Sequence, residues 1–183
     1  MNVSNSRGFG FVEILVVVAI LSIVALGIGG LTVQFSKQQQ QSNTVIQADV
    51  FRRSLIALIV SNTSWDYTTK ANASMACLYN GAPCATTTQQ PFAIYDASNT
   101  VFYDPATKGI NYSGQVCDGF ALTGNDQCPL RYDLEWQPIC PPLGSCLNPQ
   151  VLINATLIYK PLNSRVVINT NSYSVPNMVR APQ

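Results

Sequence analysis

A single glutamate, Glu13, lies at the start of an otherwise apolar run. No residue between Ile14 and Ser36 is charged, and a helix of roughly 20 apolar residues spans the hydrocarbon core of a bilayer. A carboxylate at the centre of a membrane costs about 2.5 to 3.5 kcal/mol, and less towards the interface. Because the chain carries this cost, we expect the charge of Glu13 to serve a function.

Six cysteines form the second set of reactive side chains, and all of them follow the apolar run: Cys77, Cys84, Cys117, Cys128, Cys140 and Cys146. The chain has no histidine and no CxxC pair, which argues against zinc. An even number of cysteines behind a membrane-targeting segment indicates disulfides formed in an oxidising compartment. The local spacings in CLYNGAPC and CPPLGSC favour Cys77–Cys84 and Cys140–Cys146, which leaves Cys117–Cys128.

The charge of the chain gives little reason to expect a nucleic-acid partner. Charged residues make up 10% of the chain and the formal net charge is +1, whereas nucleic-acid binding needs a concentrated basic patch. The adjacent pair Arg52-Arg53 is better explained by a solvated helix face.

Catalysis and metal binding find little support in the sequence. Without histidine, general acid–base catalysis would depend on carboxylates or perturbed lysines, so we predict no enzymatic activity and no cofactor. The segment GNDQC places Asp126 near Asp118, and their oxygen atoms are ligands that calcium accepts. Since no ligand spacing is defined there, a solvated turn is the favoured interpretation, and calcium is the weaker alternative.

Hydrophobic patterning divides the chain into four predicted segments. Residues 1–8 form a polar leader, 9–34 a membrane-embedded half-helix, 35–60 an amphipathic half-helix, and 61–183 a disulfide-containing head. Helical periodicity from 31 to 60 places one apolar stripe on Thr44, Ala48, Phe51, Leu55 and Leu58, joined by Val45, Ile56 and Ile59. The glycines of GIGG, Gly27 to Gly30, either bend or fray the helix or are merely tolerated. Arg7 precedes the span without an acidic neighbour, so we expect a cytoplasmic amino end and a periplasmic head.

The head has the pattern of an antiparallel sheet. The segment LRYDLEWQPI alternates apolar and polar residues, which indicates a half-buried strand. PFAIYD and TVFYD predict one hairpin, and VLINATLIYK with SRVVINTNSYSV, joined across PLN, predicts another. The segment SNTS is expected to end the long helix, and the residues around the first cysteine pair are expected to form loops. We therefore predict an α+β fold in which a long amino-terminal helix packs on an antiparallel sheet.

The opening residues RG followed by FGFVEILVVVAIL resemble the class III signal of type IV pilins and type II secretion pseudopilins. The resemblance implies that a prepilin peptidase cleaves after Gly8 and that Phe9 becomes the N-methylated amino terminus. It also implies that Glu13, the fifth residue after the cut, pairs with the Phe9 amine of a neighbouring subunit during filament assembly. The helix-on-sheet architecture with peripheral disulfides is likewise the one that this family has.

The resemblance also implies partners and a location. The expected partners are other pilin or pseudopilin subunits, the prepilin peptidase and methylase, the inner-membrane assembly platform and the membrane itself. The chain would start as a single-pass inner-membrane protein and end in an extracellular pilus or a periplasmic pseudopilus. The six cysteines, and the lack of the mid-helix proline of many major pilins, favour a minor subunit.

An ordinary secretory signal is the alternative interpretation of the first residues. The tripeptide ALG, Ala25 to Gly27, offers a cleavage pattern of small residues. In that case the chain would be a secreted or membrane-anchored, disulfide-rich binding domain that does not polymerise. An acid at the start of the apolar core argues against such a signal.

Overall fold

Helix α1 extends from Phe11 to Val60 and is followed by a head built on an antiparallel sheet. The structure, a computed structural model, describes residues 10–84, 88–142, 146–163 and 167–181, without the side chains of 26–33, 37 and 40. The chain forms two compact units, Met1–Gln40 and Gln41–Gln183, and α1 contributes to both. The backbone is helical through the GIGG segment, so no frayed turn occurs there.

In the second unit, α1 buries one stripe of side chains against the sheet. Its members recur at three- and four-residue steps, as helical geometry requires: Thr44, Ala48, Phe51, Leu55 and Ile59. Ile59 completes this stripe, whereas Leu58, which the periodicity had placed in it, is only partly buried. Phe51 anchors the helix because its ring stacks on Tyr132 at 5.9 Å and meets Tyr103 edge-on at 5.2 Å.

The sheet confirms the predicted α+β class. The strands are β1 Gln90–Pro91, β2 Ile94–Tyr95, β3 Val101–Tyr103, β4 Lys108–Ile110, β5 Val116–Asp118, β6 Leu130–Ile139, β7 Gln150–Tyr159 and β8 Val175–Arg180. The strands of the main sheet pair antiparallel in the order β5-β4-β6-β7-β8, and β1 also pairs with β6. A separate hairpin joins β2 to β3. The hairpin predicted from PFAIYD and TVFYD is confirmed by the pairing of β2 with β3.

Strand β6 shows the alternation that its sequence predicts. Leu130, Tyr132, Leu134 and Trp136 are buried, and the residues between them are half-buried. The strand pairs along its whole length with β7, from Leu130 opposite Tyr159 to Ile139 opposite Gln150. Successive side chains of a strand point to opposite faces, so one face of this pair supplies the core beneath α1.

The long helix ends at Val60, directly before SNTS, as predicted. The prediction that the residues around the first cysteine pair form only loops was wrong for the part before Tyr79. Helix α2, Asn62–Ala71, begins directly after α1, and a 3₁₀ turn follows over Ala73–Leu78. Ser61 caps α2 by accepting a hydrogen bond from the Ser64 N–H at 3.5 Å. The helix is rich in Thr, Asn and Asp, which are weak helix formers. Packing stabilises it instead, since Trp65 is buried with its ring centroid 6.2 Å from that of Phe92.

The predicted final pair of antiparallel strands is present, but its second strand lies later in the chain than predicted. Strand β7 pairs with β8, which begins at Val175, and a 3₁₀ turn over Thr170–Tyr173 precedes it. Residues 164–166 of the predicted strand lie outside the described residues, and of the described ones only Val175 belongs to β8. Before this segment, the Asp126 carboxylate accepts hydrogen bonds from the backbone N–H groups of Leu162 and Asn163. Ile168 is buried in the core, in a segment without regular structure.

Arg180 fastens the last strand to the end of α1. Its guanidinium donates hydrogen bonds to the Ile59 carbonyl and, at 2.8 Å, to the Asn62 side chain. It also lies 5.1 Å from the ring centroid of Trp65. Partial burial lowers the pKa of Arg180 from its usual value. The last carbonyls of a helix have no intrahelical partner, so a cationic donor such as Arg180 stabilises the end of α1.

We expect Arg180→Ala to destabilise the head by about 1.5 to 3 kcal/mol, the range for hydrogen bonds to charged groups. Arg180→Lys should recover part of this loss, because an ammonium keeps the charge without the planar fork. Urea unfolding of the full-length protein in detergent, followed by the tryptophan fluorescence of the head, measures the difference. Equal midpoints for the wild type and Arg180→Ala would show that the strand is held by its ladder alone.

Candidate assembly site

Glu13 lies in the first turn of α1, where it closes the amino end of the helix. The Gly10 N–H donates to Glu13 Oε2 at 3.1 Å, and the Glu13 N–H donates to the Gly10 carbonyl at 3.0 Å. A glutamate three residues after the N-cap that bonds back to the N-cap N–H is half of a capping box. The predicted processing residues Gly8 and Phe9 lie outside the described residues. The carboxylate is solvent-exposed and free to accept a further partner.

The first part of α1 has no polar face. Its large apolar side chains, on every side of the helix, each expose about half of their surface or more: Phe11, Val12, Ile14, Leu15, Val16, Val17, Val18, Ile20, Leu21, Ile23 and Val24. The Ser22 hydroxyl is satisfied internally because it donates to the Val18 carbonyl at 2.7 Å. A helix that is hydrophobic all round is a buried helix, so lipid or other helices must cover this segment.

Within the part of the chain that the structure describes, no helix combines the length and the hydropathy that crossing a bilayer requires.

The three disulfides of the head are Cys77–Cys84, Cys117–Cys128 and Cys140–Cys146. These are the pairs that the local spacings favour. A backbone hydrogen bond of 3.0 Å from the Cys84 N–H to the Cys146 carbonyl joins the first and third disulfide loops. The Cys77–Cys84 and Cys140–Cys146 loops are therefore hydrogen-bonded to each other. The spacing of the cysteines does not predict this bond.

Asp118 and Asp126, the pair considered for calcium, have partners within the chain. Asp118 forms an ion pair with Lys108 at 2.6 Å, and Asp126 accepts hydrogen bonds from the Leu162 and Asn163 backbone and from the Asn163 amide. The described residues hold no cluster of three or more His, Cys, Asp or Glu side chains suited to a metal ion. Calcium binding at these aspartates stays a hypothesis from the sequence.

A cavity of about 510 Å³ opens beside β6. Arg131 in its lining pairs with Asp133 at 2.6 Å and lies 4.6 Å from the ring centroid of Phe120. Asp104 caps its own turn by accepting from the Ala106 N–H and the Thr107 hydroxyl. The other carboxylate of the lining is that of Glu135.

The geometry defines a class of protein: a folded head carried on a helix whose first turns are apolar on all sides and begin at a single carboxylate. Residues 3–29 match the family described as the prokaryotic N-terminal methylation motif. The matched segment is a class III signal of the kind that type IV pilins and pseudopilins carry. No curated protein and no solved structure matches the chain.

Proposed function

We propose that the chain is a minor subunit of a type IV pilus or a type II secretion pseudopilus. The methylation motif over residues 3–29 supports a pilin-like prepilin. This range contains Gly8, Phe9 and Glu13, the residues to which the resemblance assigns processing and assembly. The uniformly apolar first turns of α1 support the proposal, since such a surface needs neighbouring helices or lipid. The protein is structural, and its head sets the surface chemistry of the filament.

The precursor is a single-pass protein of the bacterial inner membrane with a cytoplasmic amino end. Prepilin peptidase removes residues 1–8 and the new amino terminus at Phe9 is methylated. The assembly platform then transfers the subunit from lipid into the filament. The basic leader residue Arg7 supports this orientation, and the three disulfides support an oxidising compartment for the head.

Glu13 aligns the incoming subunit. Its carboxylate is exposed and bonded only locally among the described contacts, to the Gly10 N–H, so the mature amine of Phe9 on a neighbouring subunit can reach it. An ion pair in a medium of low dielectric contributes register more than net stability. The apolar side chains around Glu13 are covered by lipid before assembly and by neighbouring helices after it. The change on assembly is that the Glu13 carboxylate gains a cationic partner.

Processing is tested by the intact mass and the amino-terminal sequence of the protein purified from its native membrane. We expect a chain that begins at Phe9 and carries one added methyl group. The control is Gly8→Val, whose branched side chain should block cleavage and leave Met1 in place. A wild-type chain that begins near Ile28 or retains Met1 would contradict the proposal. It would favour instead a secreted or anchored, disulfide-rich binding domain.

A further inference from the structure

A further cavity of the head, of about 290 Å³, lies between α2, the Cys77–Cys84 loop and the start of β7. We name it the α2 cavity. The polar residues of its described lining are Trp65, Asp66, Thr69, Tyr79 and Asn148. Protein pockets for small molecules usually enclose about 300 to 1,000 Å³, so the α2 cavity has room for a ligand of one ring and not for a long chain.

Trp65 brings an unpaired hydrogen-bond donor to the α2 cavity. Its side chain is only 3% exposed, and its indole N–H has no hydrogen-bond partner among the described residues. The fully enclosed unpaired side-chain nitrogens of the described residues all belong to arginines, so the indole nitrogen lies at the small accessible part of the ring. Since Trp65 lines the α2 cavity, that part faces it. A buried donor without an acceptor is costly, and a ligand oxygen at this position would satisfy it.

Two further polar groups of the lining are unpaired in the described part of the head. Neither the phenol of Tyr79 nor the side-chain amide of Asn148 bonds another described residue. A phenol both donates and accepts, and an amide supplies two donors and an acceptor. The Thr69 hydroxyl donates to the Asp66 carbonyl at 3.0 Å and keeps lone pairs for a further donor. A ligand that both donates and accepts hydrogen bonds therefore suits the lining.

The charge of the described lining favours a neutral ligand. Asp66 forms an ion pair with Lys70 at 2.7 Å, so an anion in the cavity would meet a carboxylate and a cation would compete with Lys70. A sugar ring is neutral, and each of its hydroxyl groups both donates and accepts. The C–H face of a sugar ring is apolar and can pack on the ring of Tyr79, which is 50% exposed.

We propose that the α2 cavity binds one neutral pyranose ring, either as a free monosaccharide or as the terminal unit of a glycan. The Trp65 indole N–H donates to a ring hydroxyl, the Asn148 amide bonds a second hydroxyl, and Tyr79 covers one face of the sugar. The site lies in the head and uses no residue of the assembly helix. Sugar binding is therefore a property of the chain separate from filament assembly.

Indole NMR of the full-length protein tests the site. The chain carries ¹⁵N-labelled tryptophan, is held in a detergent without a sugar headgroup, and is titrated with D-glucose, D-galactose, D-mannose and N-acetyl-D-glucosamine in turn. We expect at least one of these sugars to shift the Trp65 Nε1–H resonance, with half of the shift at about 1 mM. The Trp136 resonance should stay in place, because that indole is fully buried and donates to the Ser74 hydroxyl at 3.2 Å.

Three outcomes of this titration would overturn the proposal. The first is that no sugar of the set shifts the Trp65 resonance, which Trp65→Phe identifies by its disappearance. The second is that the resonances of Trp65 and Trp136 shift alike, since a general effect on the head would then explain both. The third is an equal shift with sorbitol, an open-chain polyol, which would show that no ring is recognised.

Asn148→Gly tests the polar contact with the sugar. Asn148 has a positive φ of 46°, so glycine removes the amide and keeps the backbone conformation. Asn99→Gly is the matched control, since Asn99 has a φ of 59° and lies in the turn between β2 and β3. We expect Asn148→Gly to weaken sugar binding about tenfold and Asn99→Gly to leave it unchanged. Equal affinities of Asn148→Gly and the wild type would contradict the proposed contact.

Tyr79→Ala tests the stacking contact, and glycosides identify the source of the ring. We expect the alanine variant to bind about tenfold more weakly and Tyr79→Phe, which keeps the ring, to bind more tightly than alanine. Equal affinities of Tyr79→Ala and the wild type would contradict the stacking. A methyl glycoside has the substituted C1 oxygen of a glycan terminus. Its binding would indicate a glycan terminus, whereas binding of the free sugar alone would indicate a monosaccharide.

Discussion

Glu13→Gln will exclude the chain from assembled filaments while the chain remains processed and inserted in the membrane. Removing one partner of a buried ion pair costs about 3 to 5 kcal/mol, so incorporation should fall roughly a hundredfold or more. Glutamine has nearly the same shape, and its carbonyl oxygen can still accept the Gly10 N–H. Since glutamine also serves in a capping box, the substitution removes the charge and keeps the helix cap.

The comparison with Glu13→Ala decides what Glu13 does. The alanine variant loses both the charge and the hydrogen bond of 3.1 Å to the Gly10 N–H, and a lost cap costs about 1 kcal/mol. If incorporation is normal in the glutamine variant and low in the alanine variant, Glu13 is a helix cap and the proposed alignment is wrong. If both variants fail alike, the charge is what assembly requires.

Glu135→Gln is the matched control for the loss of a carboxylate. Glu135 is the second of the two glutamates in the chain and is half-buried on β6, far along the sequence from the assembly helix. We expect normal incorporation. Filaments sheared from cells and probed with an antibody against the head give the incorporated amount, and whole-membrane fractions give the total. Loss of incorporation in Glu135→Gln would mean that the assay reports on the folding of the head.

Long periodic segments and local spacings are what the sequence could predict. The alternation in LRYDLEWQPI gave the strand with the bounds that the structure has, because Leu130, Tyr132, Leu134 and Trp136 all face the core. The buried stripe of α1 was also predictable, although Leu58, which the periodicity placed in it, is only partly buried. The cysteine pairs followed from short separations, which leave little freedom to the chain.

Elements held by distant contacts could not be predicted in the same way. Helix α2 has a sequence of weak helix formers, and it depends on the packing of Trp65 against Phe92 and Arg180. Strand β8 begins later than its sequence pattern indicates, after a turn at which Asp126, from a different part of the chain, bonds Leu162 and Asn163. In both cases a contact remote in sequence is involved, so no local pattern reports it.

The outward face of α1 in the head was hidden for a different reason. Apolar residues lie on both sides of α1 there, so Val45 and Ile56 blur the boundary between the buried stripe and the outward face. The exposure of Ile46, Val50 and Val60 shows that the pattern has two faces. Glu13, the proposed assembly residue, could be singled out from the sequence alone, because an acid in an apolar run is conspicuous without a structure.

The second large effect is on alkaline stability, through two tyrosines of the core. Tyr103 and Tyr132 are fully buried, and burial raises the pKa of both phenols above the usual value near 10. The Tyr103 hydroxyl accepts the Tyr132 N–H at 2.9 Å, and the Tyr132 hydroxyl bonds the carbonyls of Ala48 at 3.1 Å and Tyr173 at 2.9 Å. These bonds join α1, β6 and the turn before β8.

The sign of the pH effect follows from which state holds the protons. Below about pH 10 both states keep the two phenolic protons, so the stability of the head is unaffected by these groups. Above that pH the unfolded chain loses them, while the folded chain retains them up to its raised pKa values. The unfolded state then binds fewer protons, and the free energy of unfolding falls with rising pH by about 1.4 kcal/mol per unit for each tyrosine.

Tyr132→Phe separates this effect from general alkaline damage. The variant keeps the ring that stacks on Phe51 but loses the hydroxyl bonds, so it should be about 1 kcal/mol less stable at neutral pH. Above pH 10 its unfolding free energy should fall about half as steeply as that of the wild type, because one of the two buried phenols is gone. Urea midpoints of the full-length protein, taken at intervals from neutral to alkaline pH, give both quantities.

Tyr79→Phe is the control, since it removes a phenol that is 50% exposed. A change of slope that Tyr79→Phe shares with Tyr132→Phe does not come from the burial of Tyr132. A slope in Tyr132→Phe equal to that of the wild type would show that the core phenols do not govern alkaline unfolding. A reduced slope would show that the buried hydroxyl of Tyr132 contributes to the loss of stability at alkaline pH.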